Sequence, residues 1–154
     1  LLTNMFDKKF GNEKTKNYLS ENNFEIVMKE KIQMEFSVNT SPKILYPRLS
    51  TPSGLSEWFA DDVNARGSNY SFMWQNSIQK AKLICSKDGK FIRFKWDEDE
   101  GLTEDYYFEF KIEVQELTSD TALIITDFAD PDDKTDTINL WESQVGELKR
   151  ALGL

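Results

Sequence analysis

Residues 39–60, NTSPKILYPRLSTPSGLSEWFA, contain two hydroxyl-proline pairs, Ser41-Pro42 and Thr51-Pro52. A Ser or Thr oxygen can cap the free N–H groups of a first helical turn, and a following proline has its φ already set for that turn. Ser41 therefore opens a short helix through Leu49, and Thr51 opens a second through Phe59. On the N-terminal side, Ile32, Met34, Phe36 and Val38 alternate with Lys31, Gln33, Glu35 and Ser37, which predicts a strand with one buried face. On the C-terminal side the chain is strand-like from Asp61 to Phe128. Two short helices thus interrupt a sheet after its first strand.

The later strands are separated by turn chemistry: Arg66-Gly67-Ser68-Asn69, Lys87-Asp88-Gly89-Lys90, Asp97–Thr103 and Thr118-Ser119-Asp120. Between the turns, period-2 parity selects the inward sets Val63/Ala65, Tyr70/Phe72/Trp74, Ala81/Leu83/Cys85, Ile92/Phe94/Trp96 and Tyr106/Phe108/Phe110/Ile112/Val114. A last strand over Thr121–Phe128 carries Leu123 and Ile125 on one face and Ala122, Ile124 and Thr126 on the other. Beyond Asp133, Ile138, Trp141, Val145, Leu148 and Leu152 recur at helical spacing and predict one long helix from about Thr135 to Leu152 with a buried stripe. Asp132, Asp133 and Asp136 at its start and Lys149, Arg150 and Gly153 at its end suit the helix dipole and C-cap. The expected fold is α+β, with a seven-stranded antiparallel sheet.

Composition narrows the function. The 154 residues suit one domain, and 11 Phe, 4 Trp and 5 Tyr provide an aromatic core. The net charge of −8 is the opposite of what a phosphate backbone or an anionic membrane attracts, so neither nucleic acid nor a membrane surface is expected as partner. With no histidine, His-based proton transfer, His-containing triads and His zinc sites are excluded. The one cysteine, Cys85, has no internal disulfide partner and reads as a small buried hydrophobe of a reducing compartment. No apolar run approaches the ~18 residues of a membrane span, and the N-terminus lacks a secretory h-region, which predicts a cytoplasmic protein. Residues 1–27 are polar and aperiodic and read as a leader or appendage to a domain at 28–154.

The order strand, two short helices, six antiparallel strands and long helix resembles the helix-grip fold, a curved sheet wrapped around its last helix. Asn39–Tyr46, the Leu55-Ser56-Glu57-Trp58-Phe59 stretch and Trp141, Leu148 and Leu152 of the last helix strengthen the likeness. Together they resemble the START-like (SRPBCC) superfamily, nearest its branch related to the activator of the heat-shock protein 90 ATPase. The sequence departs from that pattern in having Gly67-Ser68-Asn69-Tyr70 before the third strand and Leu140-Trp141 in the last helix.

The resemblance implies a small apolar ligand, a lipid or hydrophobic metabolite, held between sheet and last helix. On that reading, Trp58, Tyr70, Phe72, Trp74, Phe94 and Trp96 line the site together with Tyr106, Phe108, Phe110, Trp141 and Val145. Such a lining suits an apolar molecule oriented by a few hydroxyls and does not suit proton transfer, so no enzyme activity, cofactor or metal is expected. The alternative is a packed core and a protein partner, met through outward Phe91, Met73 and Ile78 or the acidic stretch at 97–109. Asp97-Glu98-Asp99-Glu100-Gly101 resembles the start of a calcium loop, but its glycine comes one position early, and it reads as a solvated acidic hairpin tip. Oligomeric state is left open.

Overall fold

Six strands follow one another through short antiparallel connections, and the last then takes the first strand of the chain onto its free edge. The computed structural model of the protein describes residues 28–154; the leader or appendage expected for 1–27 lies outside the described residues. The elements are β1 (Glu30–Ser37), α1 (Pro42–Ser50), α2 (Pro52–Leu55), β2 (Asp62–Arg66), β3 (Asn69–Trp74), β4 (Ser77–Lys87), β5 (Phe91–Trp96), β6 (Phe108–Val114), β7 (Thr121–Ala129) and α3 (Lys134–Ala151). Single 3-10 turns at Asp97–Asp99 and Pro131–Asp133 follow β5 and precede α3. The strands form one antiparallel sheet in the order β1-β7-β6-β5-β4-β3-β2, the expected α+β architecture with two short helices between β1 and β2.

The hydroxyl-proline signals act as helix starts. Ser41 Oγ accepts from the Ile44 N–H at 3.4 Å, and Thr51 Oγ1 accepts from the Gly54 N–H at 3.0 Å while donating to Pro47 O at 2.7 Å. Thr51 thereby closes α1 and opens α2. Glycine is required at 54, because any Cβ there would collide with Pro47 O and Arg48 Cα. Helix α2 stops at Leu55 rather than running to Phe59: Leu55 O accepts from both Phe59 N–H (2.9 Å) and Ala60 N–H (3.2 Å), so the chain leaves the helix in an irregular turn. That turn drops the Phe59 ring between sheet and α3.

Parity fails at three inward positions, each for a visible reason, and a fourth, Tyr106, is buried but away from the common cluster. A bulge between Leu83 and Cys85 puts Leu83 opposite Phe94 but Cys85 opposite Arg93, so the frame flips and Cys85 is exposed rather than buried. Ala65 pairs with buried Tyr70 yet is exposed, because β2 is the sheet's edge and none of the described residues buries its end. Val114, where β6 runs out into its hairpin, is 48% exposed. Tyr106 precedes β6 instead of lying in it and packs on Phe128.

The buried stripe of α3 is Thr137, Leu140, Trp141, Gln144, Val145 and Leu148, with Ile138 and Leu152 only half-buried at its margins. The acidic tip is also less solvated than expected. Asp99 is buried and its carboxylate lies 3.5 Å from the Lys29 ammonium, while exposed Glu100 is 2.9 Å from Lys82.

Candidate functional site

The concave face of the sheet, α3 and the turn after α2 enclose one aromatic interior. β3 contributes Tyr70, Phe72 and Trp74, β5 contributes Phe94 and Trp96, and β6 contributes Phe108 and Phe110, because alternate residues of each strand share that face. Helix α3 brings Trp141 and Val145 from above, and Trp58 reaches in from the turn. Ten of the eleven residues expected to line the site therefore meet in one buried cluster. Tyr106 does not: its ring is 5.3 Å from Phe128, and its hydroxyl accepts from the Lys29 backbone N–H at 3.0 Å.

At the centre lies a residue the sequence reading passed over. Phe59 is 1% exposed, and its ring centroid lies 5.0–5.9 Å from those of Trp58, Phe72, Trp74, Phe108, Phe110 and Trp141. It stacks on Trp141 with an interplanar angle of 9° and meets Phe72 edge-on at 89°. Edge-on and offset arrangements of this kind favour aromatic pairs beyond simple burial.

Polar groups in this interior are few and specifically joined. Phe59 O accepts from Trp74 Nε1 and from Gln144 Nε2, each at 3.0 Å. Trp141 Nε1 donates to Asp127 Oδ2 at 2.9 Å, whose other oxygen accepts from the Phe128 N–H at 2.8 Å. Trp58 Nε1 donates to Arg48 O at 2.8 Å, beside the Arg48–Glu57 ion pair, and the Tyr70 hydroxyl donates to Ser50 O at 3.0 Å. Burial pushes the Tyr70 phenol above its ordinary value of 10.0. Burial likewise raises Tyr46, partly offset by a hydrogen bond with Ser86. Among the described residues one buried polar side-chain atom is left over: Gln144 Oε1 has no hydrogen-bond partner there.

Gln144 and Asp127 are additions to the expected set. Gln144 lies three residues beyond Trp141, inside the buried stripe, and a polar residue at that spacing was the available signal. Asp127 is the inward continuation of Leu123 and Ile125 in β7.

A half-open cavity of about 720 Å³ lies at the β2–β3–β4 edge, lined by Asn64, Ala65, Arg66, Asn69, Tyr70, Ser71, Lys80, Ala81 and Asp97. It meets the interior at Tyr70, whose ring is 6.1 Å from Phe72 and 5.0 Å from Phe94. Among the described residues, no three potential metal ligands come together, and no helix is long and apolar enough to cross a membrane.

Three comparisons with known proteins bear on this architecture. The solution structure of BfR322 from Bacteroides fragilis is similar at 39% identity, covering 82% of this chain and 93% of that one with a TM-score of 0.59. At 20% identity, the solution structure of the Aha1 dimer from Colwellia psychrerythraea has a TM-score of 0.64 over 80% of this chain and 96% of that one. MLL2253 from Mesorhizobium loti shares the fold at 14% identity, with a TM-score of 0.63 over 80% and 97% of the two chains. No curated protein matches the sequence. Residues 26–154 match the START-like superfamily domain, and the chain, with its curved sheet closed by a long last helix, belongs to that superfamily.

Proposed function

We propose that this domain binds a small apolar molecule, a lipid or hydrophobic metabolite, between the sheet and α3, and that it does so without catalysing a reaction. START-like domains often bind hydrophobic ligands. The observation that carries the reading here is the placement of Phe59. Its ring fills the centre of the aromatic interior, yet it is mounted on an irregular turn, outside both the sheet and α3. A planar apolar molecule that took the place of this ring would meet the aromatic neighbours described above while the sheet and α3 stayed in place. The edge cavity beside Tyr70 supplies the route inward. The interior's phenols and its carboxylate are engaged in structural hydrogen bonds, an arrangement suited to holding a ligand rather than transferring protons.

A second reading, a protein-interaction module with a permanently packed core, is favoured by the same close ring contacts. Native mass spectrometry of the protein purified gently from its host, compared with its denatured mass, separates the two. A reproducible additional mass of lipid or metabolite size supports the ligand reading. Bare protein, together with no binding of flat apolar probes, supports the packed module.

A further inference from the structure

We propose that the interior selects an uncharged apolar molecule bearing a hydroxyl or N–H group, which donates a hydrogen bond to Gln144 Oε1. This rests on the reading of the interior as a ligand site. Gln144 is 2% exposed, and its Oε1 is buried without a partner. The side chain cannot cure this by turning over. Phe59 O is an acceptor already held by Trp74 Nε1 and Gln144 Nε2 at 3.0 Å each, and a flipped amide would set two acceptor oxygens against one another. The amide is thus locked with its oxygen facing away from Phe59 O.

Four donors of the same interior are committed elsewhere. The indole N–H groups of Trp58, Trp74 and Trp141 donate to Arg48 O, Phe59 O and Asp127 Oδ2, and the Tyr70 hydroxyl donates to Ser50 O. A buried acceptor left in this state costs free energy that a donor arriving with the ligand recovers. Selection follows in both directions. A ligand lacking a donor leaves Oε1 unmatched, and an ionised carboxylate, which can only accept, faces it with like polarity.

The test uses three probes of one ring system at pH 7: 2-naphthol, 2-fluoronaphthalene and 2-naphthoate. Binding to the full chain is followed by NMR through the indole N–H resonances of its 4 Trp residues. The expected result is that 2-naphthol binds about fivefold or more tightly than either of the others, and that this preference disappears in Gln144→Met. The variant keeps the length of the side chain and leaves Phe59 O bonded to Trp74. If 2-naphthol and 2-fluoronaphthalene bind equally, or if Gln144→Met keeps the preference, the selection is overturned while the interior remains a ligand site. Tightest binding by 2-naphthoate overturns the selection in the same way. If none of the three binds at millimolar concentration, the ligand reading itself falls, and this inference falls with it. The wild-type comparison stands alone should the variant fail to fold.

Discussion

The half of the sheet formed by β1, β7 and β6 and the half formed by β4, β3 and β2 both place apolar side chains on the inward face, yet they end differently. In the first, Ile32, Phe110, Leu123 and Ile125 are sealed, and even Ala122 and Thr126 on the other face are buried. In the second, Ala65 and Cys85 are exposed, Leu83 is half-buried, and a cavity opens beside Tyr70. What separates them is the cover. Helix α3 lies against β1 and reaches Phe110 and Asp127 through Trp141, whereas β2 is the edge strand and, among the described residues, its Ala65 is left exposed. Parity decides which way a side chain points, and the neighbouring layer decides whether it is buried.

Substitutions on the two sides should differ accordingly. Under the helix, Phe108→Ala and Trp141→Ala should each destabilise by about 3–5 kcal/mol in urea unfolding, because each removes a ring from a filled interior. A much smaller loss at either position would mean that the interior already contains free space. On the uncovered side, Ala65→Leu and Cys85→Ser should each change stability by no more than about 0.5 kcal/mol, as expected of surface positions. A larger loss at either would show that the edge is covered in solution.

The weakest expected effect lies within the second half, in β3, and is read through pH. Burial holds the Tyr70 phenol above 10.0, so the unfolded chain loses this proton first and the folded state binds more protons in the window above that value. Stability should therefore be fully present below about pH 10 and fall as pH rises further. Tyr70→Phe should flatten that slope in denaturant titrations at pH 9 and 10.5. An unchanged slope would assign the effect to other groups, Tyr46 among them.

Much of this could be read from the sequence because the signals were local. Ser41-Pro42 and Thr51-Pro52 cap helices through their own hydroxyls, and the parity of β3, β5 and β6 placed Phe72, Trp74, Phe94, Trp96, Phe108 and Phe110 on one face. The failures were tertiary. The bulge at Leu83/Cys85 shifts the frame of one strand against its neighbour, a change that single-strand alternation cannot register. Phe59 was read as a helix end, although its position is decided by Gly54 packing on α1 and by two hydrogen bonds to its carbonyl. Gln144 escapes a helical pattern defined by apolar residues alone, although it shares their buried stripe.

The pairing of the first strand with the last also bears on how the chain is made. The strands from β2 to β7 can zip up through connections between neighbours, but Glu30 of β1 pairs with Ala129 of β7, roughly a hundred residues later. During synthesis at about 5–20 residues per second, β1 leaves the ribosome many seconds before its partner strand exists. Through that interval Ile32, Met34 and Phe36 have no sheet to join, and the nascent chain presents a sticky apolar strand. The topology that seals the finished domain makes its synthesis the period of greatest exposure to aggregation, and assigns to β7 the task of ending it.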